Sequence, residues 1–184
     1  MNKPPRGATL VELAVVLAIA AVVFAAGAPD LHALVTAQQL KAASGELFDA
    51  ISHTRSQAIA RGERVKLMPR DPAGTDWTRG WTVFVDRDGD HEPGPQDEIL
   101  AVHGPLPGGL HIDFSFTASA PPQYIAYNGA GRSCSDGASQ ASRLGTLSLF
   151  HGGQVRRIKI NMLGRVRMCN PARDGGCDGA QAPP

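Results

Sequence analysis

One segment constrains this chain more than any other. "ATLVELAVVLAIAAVVFAAGA", residues 8–28, is a predominantly apolar run whose only ionisable side chain is Glu12. As a helix its 21 residues rise roughly 31 Å, matching the hydrocarbon core of a bilayer. A carboxylate in that core costs about 2.5–3.5 kcal/mol on insertion scales, so Glu12 is expected to have a function. Lys3 and Arg6 precede the segment. The positive-inside rule keeps that end in the cytoplasm and sends the remainder across. A secretory signal has an apolar run of about 7–15 residues with a small-residue cleavage site behind it. Here the run is longer, and the small residue, Gly7, stands in front.

Past Pro29 the pattern becomes amphipathic. Leu40, Leu47, Ile51 and Ala58 recur at spacings of seven, four and seven, with Gln, Lys, Glu and Asp between them. That is one apolar stripe on a helix, predicted to run to Arg61 with Gly62 as its C-cap. From Arg64 onward, short runs rich in β-branched and aromatic residues are punctuated by Gly and Pro. They predict strands at 64–68, 80–86, 98–102, 110–116, 123–127, 146–150, 156–161 and 165–168, with a tight hairpin at "HGGQ" (151–154). Ile112, Phe114 and Phe116 alternate onto one side, as a half-buried antiparallel strand requires. The expected class is α+β: a long N-terminal helix, its first half (8–29) in lipid and its second (30–62) on a β-rich domain at 63–171. The Gly- and Pro-rich tail, 172–184, is expected to be loose.

Net charge is +1, so only its distribution is informative. Residues 71–98 hold eight acids against Arg79 and Arg87, while 137–173 hold seven bases and no acid. Such a split suits an anionic partner for the basic region, packing between unlike patches, or a solvated basic surface. Cys134, Cys169 and Cys177 all lie in the last third, which the N-terminus sends into an oxidising compartment. One disulfide is expected, involving Cys169, with its partner left open between Cys134 and Cys177.

The C-terminal hairpin is the most informative motif. In "RRIKINMLGRVRM", Ile158, Ile160, Val166 and Met168 have even numbers, while Arg157, Lys159, Arg165 and Arg167 have odd ones. A two-residue loop would pair odd with even. A three-residue loop, Met162-Leu163-Gly164, pairs Ile160 with Val166 and Ile158 with Met168 on the core side, with Gly164 left-handed. Lys159 then lies opposite Arg167, with Arg157 and Arg165 on that outer side. Like charges directly opposed destabilise a sheet, so an anion is expected to offset them. A phosphodiester backbone is the natural candidate, because arginine forks fit phosphate oxygens and counterion release drives binding. Gly164 is expected to permit close approach, and Arg156 and Arg173 add to the basic region. No aromatic residue lies in 151–184, so base stacking is not indicated.

Other chemistry is poorly supported. Asp86, Asp88, Asp90 and Asp97 stand at the first, third, fifth and twelfth places of a calcium-type loop. The sixth place holds His91 instead of glycine, the twelfth is not glutamate, and strands flank the loop. A solvated hairpin turn is the better reading, and no metal or cofactor is predicted. "NGAGRSCSDG" (128–137) lacks the third glycine of a dinucleotide site, and no Gly-x-Ser-x-Gly elbow occurs. The six histidines have no metal-ligand spacing. No enzyme is indicated.

The N-terminal "RGATLVEL" resembles the class III signal of type IV pilins and type II secretion pseudopilins. The resemblance implies a leader, residues 1–7, cut after Gly7 by a prepilin peptidase, with methylation of the new amino terminus at Ala8. Glu12 becomes the fifth residue of the processed chain, and Pro29 the helix-loosening proline. Ala8 departs from the usual phenylalanine or methionine. A buried Glu12 is tolerable when it meets the new α-amino group of a neighbouring subunit, which fixes axial register in a filament. "GWTVFVDRDGDHEPGPQDEIL" narrows the resemblance to the GspH/FimT group of minor pilins and pseudopilins. In FimT-like members a C-terminal Gly-Arg-x-Arg is implicated in binding DNA for uptake, and it maps onto Gly164, Arg165, Val166 and Arg167. The implied protein is a type IV minor pilin in the bacterial inner membrane, single-pass with its C-terminal domain in the periplasm, and then in the pilus at its tip. Its implied partners are other minor and major pilins, prepilin peptidase, membrane lipid and duplex DNA. The alternative is a minor pseudopilin of a type II secretion system that touches no nucleic acid, its arginines docking acidic surfaces of neighbouring subunits.

Overall fold

The computed structural model describes residues 9–88, 90, 92–137 and 140–183, except for the side chains of 23–30. Gly7, Ala8 and the side chain of Pro29 therefore lie outside the described residues. Helix α1 spans Leu10–Arg61. Its residues up to Thr36 belong to one compact unit, and Ala37–Pro184 form a second. In the first unit Thr9 starts the helix, its Oγ1 accepting from the backbone N–H of Glu12 at 3.2 Å. Leu10, Val11, Leu13, Val15, Val16, Leu17 and Ile19 are all exposed there. Among the described residues no helix is long and apolar enough to cross a membrane, and the expected span, 8–29, falls partly outside them.

In the second unit the apolar stripe of α1 is buried as its spacing predicts: Leu40, Leu47, Ile51 and Ala58 are each 0% exposed. Ser44 and Thr54 are buried beside them and donate back to the Lys41 and Ala50 carbonyls, which satisfies their hydroxyls. The helix ends at Arg61, with Gly62 at φ +69° as its cap.

Eight strands follow: β1 (Val65–Pro69), β2 (Trp81–Val85), β3 (Glu98–His103), β4 (His111–Phe116), β5 (Ile125–Tyr127), β6 (Gly145–His151), β7 (Gln154–Ile160) and β8 (Val166–Cys169). They form two four-stranded antiparallel sheets, in the orders β3-β2-β1-β5 and β4-β6-β7-β8. One core joins the helix stripe to both sheets, through Val65 and Leu67 of β1, Val83 of β2, Phe114 of β4 and Ile158 of β7. The α+β class and every predicted strand are present. The strand predicted at 123–127 is confined to Ile125–Tyr127, because Gln123 is used elsewhere. Its N–H donates to the Gly74 carbonyl, and its Oε1 accepts from Trp77 Nε1 at 2.9 Å. β7 starts two residues early because Gly152-Gly153, both at positive φ, make a two-residue turn that pairs His151 with Gln154.

Two features run against the sequence pattern. Lys66 alternates with Val65 and Leu67, yet it is fully buried. Its Nζ lies 2.9 Å from Asp86 Oδ2 and 3.0 Å from Asp136 Oδ1, with the Phe84 and Tyr124 rings beside it. The tail expected to be loose instead folds back onto the second sheet, as the site geometry shows.

Candidate functional site

The β7–β8 hairpin has the predicted register: Ile160 faces Val166, Lys159 faces Arg167, and Ile158 faces Met168. Asn161 builds the turn. Its side-chain oxygen accepts from the N–H groups of Leu163 and Arg165, and its carbonyl from Gly164. Gly164 is left-handed, φ +75°, where an L side chain is strained. It is buried, and a methyl group there would collide with the Gly131 carbonyl and press on the Tyr127 ring. The expectation that Gly164 admits a ligand's backbone is thus corrected. The close approach is to the chain's own 127–133 segment, so this glycine docks the hairpin tip.

The pairings continue across the sheet, so its outer side carries two lateral rows. One is Asp113, Ser148, Arg157 and Cys169; the next is Ser115, Thr146, Lys159 and Arg167. Arg165, Arg167 and Arg173 are exposed, and Lys159 and Arg156 are half-buried. Lys159, Arg165 and Arg167 line one cleft of about 500 Å³ together with Leu144, Ile160 and Val166. Arg156 shares the parity of the core-facing residues and donates to the Val155 carbonyl, apart from the cation rows.

Arg157 departs from the expected exposed surface, since only 3% of it is accessible. Its Nη1 donates to the Cys177 carbonyl, and its Nη2 to that of Ala180 at 2.5 Å. Lys159 Nζ and Arg167 Nη2 both donate to the Gly176 carbonyl, at 3.1 and 2.9 Å. Asp178 adds a carboxylate 3.8 Å from Lys159. The chain's own tail therefore offsets part of the like-charge repulsion for which an external anion was expected. A disulfide, Cys169–Cys177, fixes it there, closing the choice that spacing left open. Cys134 is the free thiol, buried, and desolvation pushes its pKa up.

The acidic turn after β2 behaves differently. Among the described residues Asp86, Asp88 and Asp97 bring oxygens within 4.8 Å of one another, while Asp90 caps the Glu92 N–H instead. Asp86 is paired with Lys66, and Asp97 accepts from the N–H groups of Arg87 and Gly94. The His91 place of the calcium pattern lies outside the described residues. Nearby, Arg87 bridges Glu63 and Glu98; its guanidinium, with that of Arg61, holds the Glu98 carboxyl below its ordinary range. These contacts describe a hairpin turn tied by its own charges. Sequence reasoning missed Lys66 and Asp136. Neither carries a local signal, because their partners are 20 and 70 residues away along the chain.

The model of the family described as type II transport protein GspH matches residues 43–164. The fold resembles that of the type IV minor pilin FimU from Pseudomonas aeruginosa (strain PAO1), at 15% identity and TM-score 0.54, over 77% of this chain and 96% of that one. It also resembles the minor pseudopilin EpsH from the type 2 secretion system of Vibrio cholerae, at 18% identity and TM-score 0.53, over 73% and 99%. No curated protein sequence matches the chain.

Two outcomes follow from this geometry. Gly164→Ala should lower unfolding stability by about 1–3 kcal/mol in a urea titration; an unchanged midpoint would show that the hairpin tip is not docked on 127–133. Cys134 should resist an aromatic disulfide reagent at pH 8 in the native protein and react once denatured, because a buried thiol holds its proton.

Proposed function

The chain belongs to the GspH family of minor pilins and pseudopilins, and on that premise we propose that it is a minor pilin of a type IV pilus that binds duplex DNA. The observation that carries the DNA reading is the cleft holding Lys159, Arg165 and Arg167 together, with Lys159 directly opposite Arg167. Their donors suit phosphate oxygens, and no base-reading geometry accompanies them, so binding is independent of sequence. Arg173 extends the exposed positive surface, while Arg157 and Arg156 stand outside the contact set in the closed form of the tail.

The role is assembly, not catalysis. Residues 8–29 hold the protein in the inner membrane with the β-rich domain in the periplasm, after a prepilin peptidase removes residues 1–7 and Ala8 becomes the methylated terminus. The exposed apolar side chains of Leu10 to Ile19 support this, since lipid or neighbouring helices are what such a surface needs. Glu12, in the first turn of α1, is the registry residue that meets a neighbour's amine. The other reading is a minor pseudopilin of a type II secretion system, in which the arginines dock acidic surfaces of sibling subunits. The paired acidic and basic regions of this chain favour that docking in either machine.

An electrophoretic shift separates the two. Residues 30–184, which retain the whole core, should bind duplex DNA with an affinity that falls steeply with salt. Arg165→Ala/Arg167→Ala should abolish the shift, with a salt slope reduced by about 2 in any residual binding. No shift at low salt leaves the pseudopilin reading. For assembly, Glu12→Ala should enter the membrane yet be absent from sheared filaments by immunoblot; normal incorporation would refute the registry role.

A further inference from the structure

The 170–183 segment is held in an unusual way. Residues 170–183 contain no large apolar side chain, and Ala172 to Gly176 are exposed, so little hydrophobic burial holds them. What holds them is the Cys169–Cys177 disulfide and the donors of three cations. The tail atoms those cations hydrogen-bond are carbonyl oxygens, and Asp178 adds one exposed carboxylate 3.8 Å from Lys159. The same donors would take the oxygens of a phosphate, with the gain of a full opposite charge.

The tail also fits the row incompletely. Arg157 Nε and Ser148 Oγ are buried, and neither has a hydrogen-bond partner among the described residues. Gly179 lies directly over both: an added Cβ would sit 2.9 Å from Nε and 2.8 Å from Oγ. A buried donor left without an acceptor destabilises, because the water it lost is not replaced. Asp113 Oδ2, an acceptor beside Ser148, is likewise buried without a partner, so the unmet donor that points to a missing acceptor is Arg157 Nε, covered by a glycine that offers it nothing. Asp113, across Ser148 on β4, bounds the row with a carboxylate on its far side.

We propose that residues 170–183 are an autoinhibitory strap, a self-ligand that occupies the two adjacent phosphate-binding rows of Ser148 with Arg157 and Lys159 with Arg167 while the Cys169–Cys177 disulfide is closed. The occupant it excludes is the phosphodiester backbone of a polyanion, and to that extent the proposal rests on the DNA reading above. In the closed form Arg165, Arg173 and the outward donors of Lys159 and Arg167 face solvent on this side of the sheet. In the released form Arg157 and Ser148 join them, and the rows run across β6, β7 and β8.

The test compares the full chain in nonionic detergent in three states: oxidised, reduced with a phosphine, and as Cys177→Ser. Two routes to release guard against a variant that merely misfolds. Binding to a 30-base-pair duplex is followed from about 50 to 200 mM salt, where each engaged cation contributes about 0.9 to the slope. Both released states should bind more tightly, with a slope steeper by about 1 to 3 and faster amide exchange in 170–183. Equal affinity and slope in all three states would overturn the strap and leave the DNA reading standing. Failure of every state to bind duplex would sink the DNA reading, and a heparin column then decides the strap. Later elution of the released states upholds it, and co-elution overturns it.

Discussion

Burial of one helical stripe is the constraint on which the second unit depends. Leu40, Leu47, Ile51 and Ala58 are fully buried, and they share one core cluster with strands from both sheets. Each large side chain withdrawn from water contributes roughly 1.5–3 kcal/mol. A helix in a globular domain depends on such packing more than on its own propensity. The stripe also decides which side of each strand faces inward. Ile112, Phe114 and Phe116 turn to the core, and so do Leu147, Ile158 and Ile160. The opposite parity is left outward, where Ser148, Arg157, Lys159 and Arg167 fall into lateral rows.

Two buried cations show two ways of meeting the same cost. Lys66 is matched by two carboxylates, Asp86 and Asp136, and the Phe84 and Tyr124 rings lie beside it. Its position ties β1 to the end of β2 and to the 133–136 segment, a structural use of charge. Arg157 is matched by neutral carbonyls from a segment with almost no apolar grip of its own. Formal charge is left over at Arg157 and cancelled at Lys66. That contrast separates a cation matched by formal charge from one matched only by neutral acceptors.

The hairpin was legible in the sequence because strand periodicity is two. Parity alone rules out a two-residue loop between Ile160 and Val166, and Gly164 then marks the left-handed position. The helix stripe was legible for the corresponding reason at period 3.6. The tail was not legible. "NPARDGGCDGAQAPP" has no periodicity, and its order comes from a disulfide and from cations on β7 and β8. Gly164 was half legible: its conformation follows from loop length, but its contact with Gly131 follows from the docking of a distant loop.

Sequence by itself determined the class of this protein. A 21-residue apolar run with one acid, an amphipathic continuation and a Gly-Trp-x-Val-Phe-x-Asp strand are local patterns, and local patterns are what periodicity and spacing can carry. Tertiary structure alone decided which cations reach solvent and which cysteines pair. Both depend on where the last fourteen or so residues lie, and no pattern within them says so. They are placed by acceptors offered to donors elsewhere on the sheet, a through-space match that only the folded chain contains.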